Sequence, residues 1–446
     1  MSKEIQLSDH FTYSRLLRFT LPSIASMIFT SIYGIFDGYF ISNYVGKIPF
    51  TGLNLIMPFI MMLGAVGNMI GIGGSALIGK TLGEGDQEKA NGLFSFFTYF
   101  MVLAGIILAC VGNLFLPQTA ALLGAKEGVL ASAIDYGRIC MIGLIFLTLQ
   151  YSFQGFLITA EKPQLGFYIT VAAGIANILL DALFIIVFKW GIKGAALATS
   201  LSQGIGAIVP TVLFLSRKNN WILKLGLPRI DWRALLQACS NGASEFLSSI
   251  SMSVVGMLYN TQLLRYAGND GVAAYGVIMY VTMIFIAVFI GLTMGTAPLF
   301  SFQYGAANYD ELKNLFRKIG TIRLIVSVAM LGAAEALARP LALIFTSYDQ
   351  GLMNMTIHAF RIYSISFLFC GVGIFGSSLF TALNNGLISA ILSFFRTVVL
   401  QLIFVFLLPL IWGLDGIWWS IALSEGFAAL LAVWFMIRGR ERYQYF

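Results

Sequence analysis

Twelve stretches of this 446-residue chain are each apolar over about the 20 residues a helix needs to cross bilayer hydrocarbon. They lie near 19–42, 52–78, 92–115, 133–158, 165–188 and 194–215, then near 241–264, 272–299, 319–338, 359–382, 387–409 and 416–437. Charge clusters or Gly, Asn and Pro turns separate them, and 319–338 is the least distinct. Only 11% of the residues are charged, against roughly 25% in a soluble protein, so lipid must serve as solvent for most of the surface. The runs are continuous rather than alternating, which excludes a membrane barrel. The expected fold class is an all-α integral membrane protein with twelve transmembrane helices. No basic segment, short apolar core and small-residue cleavage site opens the chain, so the first span is expected to stay attached.

Net charge is +7, and its placement is more informative than its size. With both termini cytoplasmic, most of the 27 basic residues fall on the inner side. Among them are Lys3, Arg217, Lys218, Lys224, Arg229, Arg233, Lys313, Arg317, Lys318 and Arg323. That asymmetry orients the chain by the positive-inside rule, so the basic clusters serve topology and no nucleic-acid partner is implied. Cys110, Cys140, Cys239 and Cys370 sit in or at the ends of spans without disulfide or metal spacing, and read as packing residues. The two histidines, His10 and His358, lie outside the central membrane layer. An integral membrane enzyme would need denser clusters of metal ligands or nucleophiles, so no enzyme is expected. GEGDQEK after the second span lacks the lysine and spacing of a phosphate-binding loop, so no ATP site is expected.

The chain repeats itself at one constant offset, almost half its length. LGEGDQEKANGLF (82–94) aligns with YGAANYDELKNLF (304–316), WGIKG (190–194) with WGLDG (412–416), and LSQG (201–204) with LSEG (423–426). Six spans per copy is an even number, so both copies enter the membrane the same way, related by an axis along its normal. The predicted domains are a lobe over 1–215, a basic connector over 216–238 with an amphipathic piece at the interface, and a second lobe over 239–446. Paired lobes about a cleft suit alternating access better than a passive channel.

IYGIFDGYFI (32–41) places an aspartate, Asp37, in an otherwise apolar span. Such a residue is costly in hydrocarbon and is a functional-site candidate by default. Asp181, in span five, is the only other deep acid of the first half. With a helical rise of about 1.5 Å per residue, the two reach similar depth in the outer half of the membrane. Asn177 precedes Asp181 by four residues and shares its helix face, and Thr199 enters span six at a comparable level. Two carboxylates in low dielectric cannot both stay charged cheaply. A proton, a hard cation held by carboxylate, amide and hydroxyl oxygens, or a cationic substrate would neutralise them. Competition among those three is what an antiporter requires. The plainer alternative is that these polar groups cap and pack neighbouring helices.

These stretches, with GGSALIGKTLGEGD, NILLDALFI and GIKGAALATSLSQ and the duplicated layout, resemble the multidrug and toxic compound extrusion (MATE) family along essentially the whole chain. The resemblance implies two six-helix lobes exporting organic, often cationic, compounds against protons or sodium. It also implies an ion-coupling site at Asp37, Asn177, Asp181 and Thr199, with sodium as one candidate occupant and no further cofactor, in a cell-membrane protein acting as a monomer. Another branch uses acids in spans seven and ten. Span ten here has none, and Glu245 enters span seven close to the cytoplasm, so coupling is expected in the first lobe. Tyr33, Gln150, Gln154 and Arg396 are candidates for the substrate cleft, although Arg396 is better suited to pairing with Glu245 or Glu425, since a lone cation would repel cationic cargo. The alternative cargo is a lipid-linked precursor moved by a flippase of the same superfamily, which would need a cleft lined with cations.

Overall fold

The computed structural model describes residues 5–216, 220–346 and 349–446; Lys3, Arg217 and Lys218 lie outside the described residues. Every regular element among them is helical. The first lobe contains α1 (Tyr13–Phe40), α2 (Lys47–Gly83), α3 (Gln87–Leu122), α4 (Glu127–Thr159), α5 (Pro163–Asp181) and α6 (Gly191–Leu215). The second begins with α7 (Trp232–Gly305) and α8 (Tyr309–Thr346). It continues with α9 (Gln350–Ser364), α10 (Ser366–Ala382), α11 (Gly386–Phe394), α12 (Leu400–Leu407), α13 (Pro409–Trp412) and α14 (Leu414–Tyr443).

α7 is two spans, not one. Its 74 residues would measure about 110 Å as a single rod, far more than a bilayer. Gly268, at φ +62°, breaks it. Both of its ends pack on α2, because a Cβ on Gly73 would overlap the Ala238 carbonyl and one on Gly83 the Phe302 carbonyl. α7 is therefore a hairpin. α9 and α10 form one span bent by 43° at Ile365, and α11 to α13 form another. Twelve crossings result among the described residues, as expected. Several helices overrun the predicted spans: α8 covers Tyr309–Thr346 where only 319–338 reads as apolar. Hydropathy marks the part of a helix in hydrocarbon, whereas the hydrogen-bonded helix continues into the headgroup layers.

The repeat is written into the backbone. Gly46 and Gly268, Gly85 and Ala307, and Gly191 and Gly413 all have positive φ, and each pair is separated by the offset of the sequence repeat. Glu161 and Asn384 match at the equivalent turns after α4 and α10. Helix faces studded with exposed apolar side chains, such as Leu103, Ile106, Ile107, Val111 and Leu114 on α3, supply the lipid-facing belt.

Three sequence expectations change. The connector forms no helix over residues 220–231. Instead it lies extended on the start of α3, with the Lys224, Gly226 and Arg229 amides bonded to Asn91, Ser95 and Gly92. Its polar backbone thereby finds partners without helical bonding. Arg323 is not an inner-side surface charge: it lies within α8, over the Phe375 ring at 5.3 Å, with Nη1 buried and unpartnered. Cys110 is exposed, whereas Cys140 and Cys370 are buried packing residues.

Candidate functional site

Asp37 lies one helical turn before the far end of α1, and Asp181 is the last residue of α5. Each helix then loosens into a π-helical turn, Ile41–Val45 after α1 and Ala182–Val187 after α5. Such turns release backbone groups from the regular ladder and concentrate at functional positions. The third π turn, Phe395–Val399, contains Arg396. All three deep charges singled out by sequence are thus at or next to a local helix defect, a signal that hydropathy does not carry.

All four predicted residues carry buried side-chain polar atoms without a protein partner. Asp37, Asn177 and Asp181 are 8%, 2% and 0% exposed. Asp37 and Asp181 lie close enough for each carboxyl group to act electrostatically on the other. Neither carboxylate can donate, so a hydrogen bond can join them only when a proton lies between them. Asn177 is one turn before Asp181 on α5, and Thr199 comes from α6. Oδ1 of Asp37, both carboxyl oxygens of Asp181, both side-chain polar atoms of Asn177 and Oγ1 of Thr199 are buried without a protein partner. Unmet polar groups at this density are costly, and their chemistry of two carboxylates, an amide and a hydroxyl is that of a hard-cation or proton site.

Sequence reasoning missed Tyr136 on α4. The Tyr136 hydroxyl lies beside Thr199 and Cys140 and within electrostatic reach of Asp37, and it too is buried and unpartnered. Tyrosine is abundant here and common near membrane surfaces, so no local pattern distinguished this one.

The cleft candidates divide. Tyr33 stands one turn below Asp37 on α1, within its electrostatic reach and close to Tyr151, and packs on Phe29 at 6.0 Å between ring centres. Gln154 is half-buried. Gln150 is 8% exposed and its side chain fills the space left by Gly206 of α6, inside the first lobe. Arg396 donates to Glu425 at 2.8 Å, with side-chain exposures of 15% and 9%. It therefore belongs to a buried ion pair, with Glu245 nearby.

The second lobe carries a neutral counterpart to the acidic cluster. Tyr259 occupies the repeat position of Asp37. Its hydroxyl donates to Gln401 at 2.6 Å and lies 2.9 Å from Ser420 Oγ. Those groups are partnered where the first-lobe groups are not, so the two copies of one architecture differ in charge and in hydrogen-bond satisfaction.

Duplicated six-span bundles with unpartnered acids buried in one of them are the architecture of a membrane transporter. A sequence profile of the MatE family matches residues 22–183 and again 246–407, and the chain belongs to that family of multidrug efflux transporters. It is 25% identical over 430 residues to the multidrug export protein MepA of Staphylococcus aureus (strain MRSA252), covering 96% of this chain and 94% of that protein. A MepA of Staphylococcus saprophyticus is 26% identical over 431 residues, with the same coverage. Among solved structures, a crystal structure of a MATE protein in complex with MaL6 superposes with a TM-score of 0.91. It is 23% identical and is matched over 100% of this chain and 99% of that one. An outward-facing multidrug resistance MATE family transporter of the MOP superfamily also gives 0.91, at 23% identity and 98% coverage of both chains. The proteins of this family are transporters, not enzymes.

Proposed function

We propose that the chain is a secondary antiporter of the cell membrane, with both termini cytoplasmic, that exports lipophilic organic cations in exchange for protons or sodium. The observation that carries this reading is the set of buried, unpartnered polar groups of Asp37, Asp181, Asn177, Thr199 and Tyr136 in the first lobe. A proton, a sodium ion or a cationic substrate can each supply the missing positive charge, and two of them cannot do so together. Entry of the coupling ion from outside discharges the acids and weakens their hold on a cation, which leaves outward. The neutralised first lobe then exchanges its opening to the inner side. A one-for-one exchange with a monovalent cation moves no net charge and is driven by the concentration gradient of the coupling ion; each additional coupling ion carried inward adds about 2.3 kcal/mol at 100 mV. Tyr33, next to Asp37, supplies an aromatic face for a flat cation.

A flippase for lipid-linked precursors is the weaker reading, because Arg396, the deep cation that the sequence offered for a pyrophosphate, is already paired with Glu425. The test is efflux of a cationic dye from proteoliposomes under an imposed proton gradient, a sodium gradient, or neither. Uphill movement is expected with one of the gradients and is abolished by the matching ionophore. Equal downhill movement in all three conditions would instead mark a passive pore.

A further inference from the structure

Residues 5–12, IQLSDHFT, precede the first span and are too polar to enter lipid. Yet Leu7 and Phe11 are both fully buried. Burying two apolar side chains in a water-exposed layer needs walls on every side, and both lobes provide them. The two side chains join a cluster that includes Ile158 of α4 and Leu312, Leu315 and Ile319 of α8.

The backbone of the segment is held just as firmly. Asp9 folds it into a turn, its Oδ2 accepting from the Gln6 amide at 3.2 Å. The Leu7 amide donates to Glu161 Oε1 at 2.6 Å, at the turn after α4 in the first lobe. The Leu7 carbonyl accepts from Gln303 Nε2 at 2.8 Å, at the end of α7 in the second lobe. One peptide segment thus links the two lobes. Further along, the Phe11 amide donates to Glu311 Oε1 at 2.9 Å. The Phe11 carbonyl accepts from Asn314 at 3.0 Å and from Lys318 at 2.6 Å. His10 Nδ1 meets Glu311 Oε2 at 2.6 Å.

The repeat supplies a mirror of this link. Asn384, at the turn equivalent to that of Glu161, donates from the second lobe to the Ala76 carbonyl of α2 at 3.2 Å. It also bonds Asn241 at 2.7 Å. Between the two turns, Gly83 and Gly305, at matching positions of the repeat, let α2 and α7 touch backbone to backbone.

We propose that residues 5–12 are a strap that holds the terminus-side seam shut. Glu161 and Gln303 are its anchors on the two lobes, and the strap must let go of one of them each time that side opens. Glu311, Asn314 and Lys318 add further bonds from the segment to the second lobe, so release occurs at the Leu7–Glu161 bond and not at Phe11. The segment then moves with the second lobe. The strap rests on the lobe exchange proposed above, but its test needs neither an ion gradient nor a substrate.

Spin labels at Glu88→Cys on α3 and Lys313→Cys on α8 report the width of the seam, both positions being exposed. The background carries Cys110→Ala and Cys239→Ala, and the protein is studied in lipid nanodiscs. Glu161→Asn suits the left-handed backbone at that turn but shortens the acceptor, and Gln303→Met removes the donor at nearly constant volume. Each is expected to raise the long-distance population at least threefold over the parent, and the pair together more. Tyr443→Phe, which removes a bond to Asn385 within the second lobe, is expected to leave the distances as they are. Unchanged distances in both Gln303→Met and Glu161→Asn would overturn the strap, even if thermal stability falls. Loss of dye efflux in Asp37→Asn with normal seam distances would bear on ion coupling and not on the strap.

Discussion

Replacing Asp37 with asparagine is expected to abolish gradient-driven efflux while the protein stays folded and inserted. The substitution keeps shape and hydrogen-bonding capacity but removes the charge that a proton, sodium ion or cationic cargo would compete for. Asp37 is buried beside Asp181, and a charge change there alters which occupants are tolerated rather than how the helices pack. Dye efflux in proteoliposomes should fall to the level of empty vesicles under either gradient. Size-exclusion and thermal-unfolding profiles should stay close to those of the parent. Asp181→Asn should behave alike, whereas Tyr259→Phe, at the repeat position of Asp37, should retain coupling. Retention of uphill efflux by Asp37→Asn would remove the site from the mechanism.

The second large effect concerns the seam. A Cβ on Gly73 would overlap the Ala238 carbonyl, and one on Gly242 the Met69 carbonyl. Both obstacles are backbone, which cannot rotate aside as a flexible side chain can. Overpacking of this kind costs about 1–3 kcal/mol or more. The cost falls only on the state in which the terminus-side ends meet. Gly73→Val and Gly242→Val should therefore bias the protein toward an opened seam and slow turnover by roughly tenfold or more, since about 1.4 kcal/mol is a factor of ten. Ion binding at Asp37 and Asp181, far from these glycines along the helices, should survive. The checks are efflux rate and the spin-label distance between positions 88 and 313. Gly204→Ala, where only the Phe146 ring edge and an Ile208 methyl come within 4 Å, is a control expected to do little.

Much of this was legible in the residues themselves. Continuous apolar runs state the membrane and the number of crossings, because lipid leaves the backbone few alternatives. The matches at 82 and 304, 190 and 412, and 201 and 423 reappear as paired backbone turns at Gly46 and Gly268 and at Gly191 and Gly413. Depth counting along a helix of constant rise singles out Asp37, Asn177, Asp181 and Thr199, and each of them carries a buried polar atom without a partner. Other features depend on long-range contact that no local pattern encodes. Tyr136 joins the acidic cluster only through the packing of α4 on α6. The connector finds hydrogen-bond partners on α3 over 220–231 without forming a helix there, and turns helical only at Trp232, where α7 begins. Residues 5–12 carry no sequence signal of burial, which becomes visible only when Glu161 and Gln303 arrive from opposite lobes. The π turns after Asp37 and Asp181 are likewise a property of assembled helices.

Competition between a cation and the coupling ion for the acids of the first lobe is the central claim, and ion release on binding measures it most directly. Purified protein in weakly buffered detergent solution is titrated with a lipophilic dye cation while pH and sodium electrodes are read. The parent protein is expected to release about one proton or sodium ion per dye bound, by reciprocal linkage, and the variant carrying both Asp37→Asn and Asp181→Asn none. Equal release from the double variant, or tight dye binding by the parent with no release of either ion at any pH from 5 to 9, would contradict it.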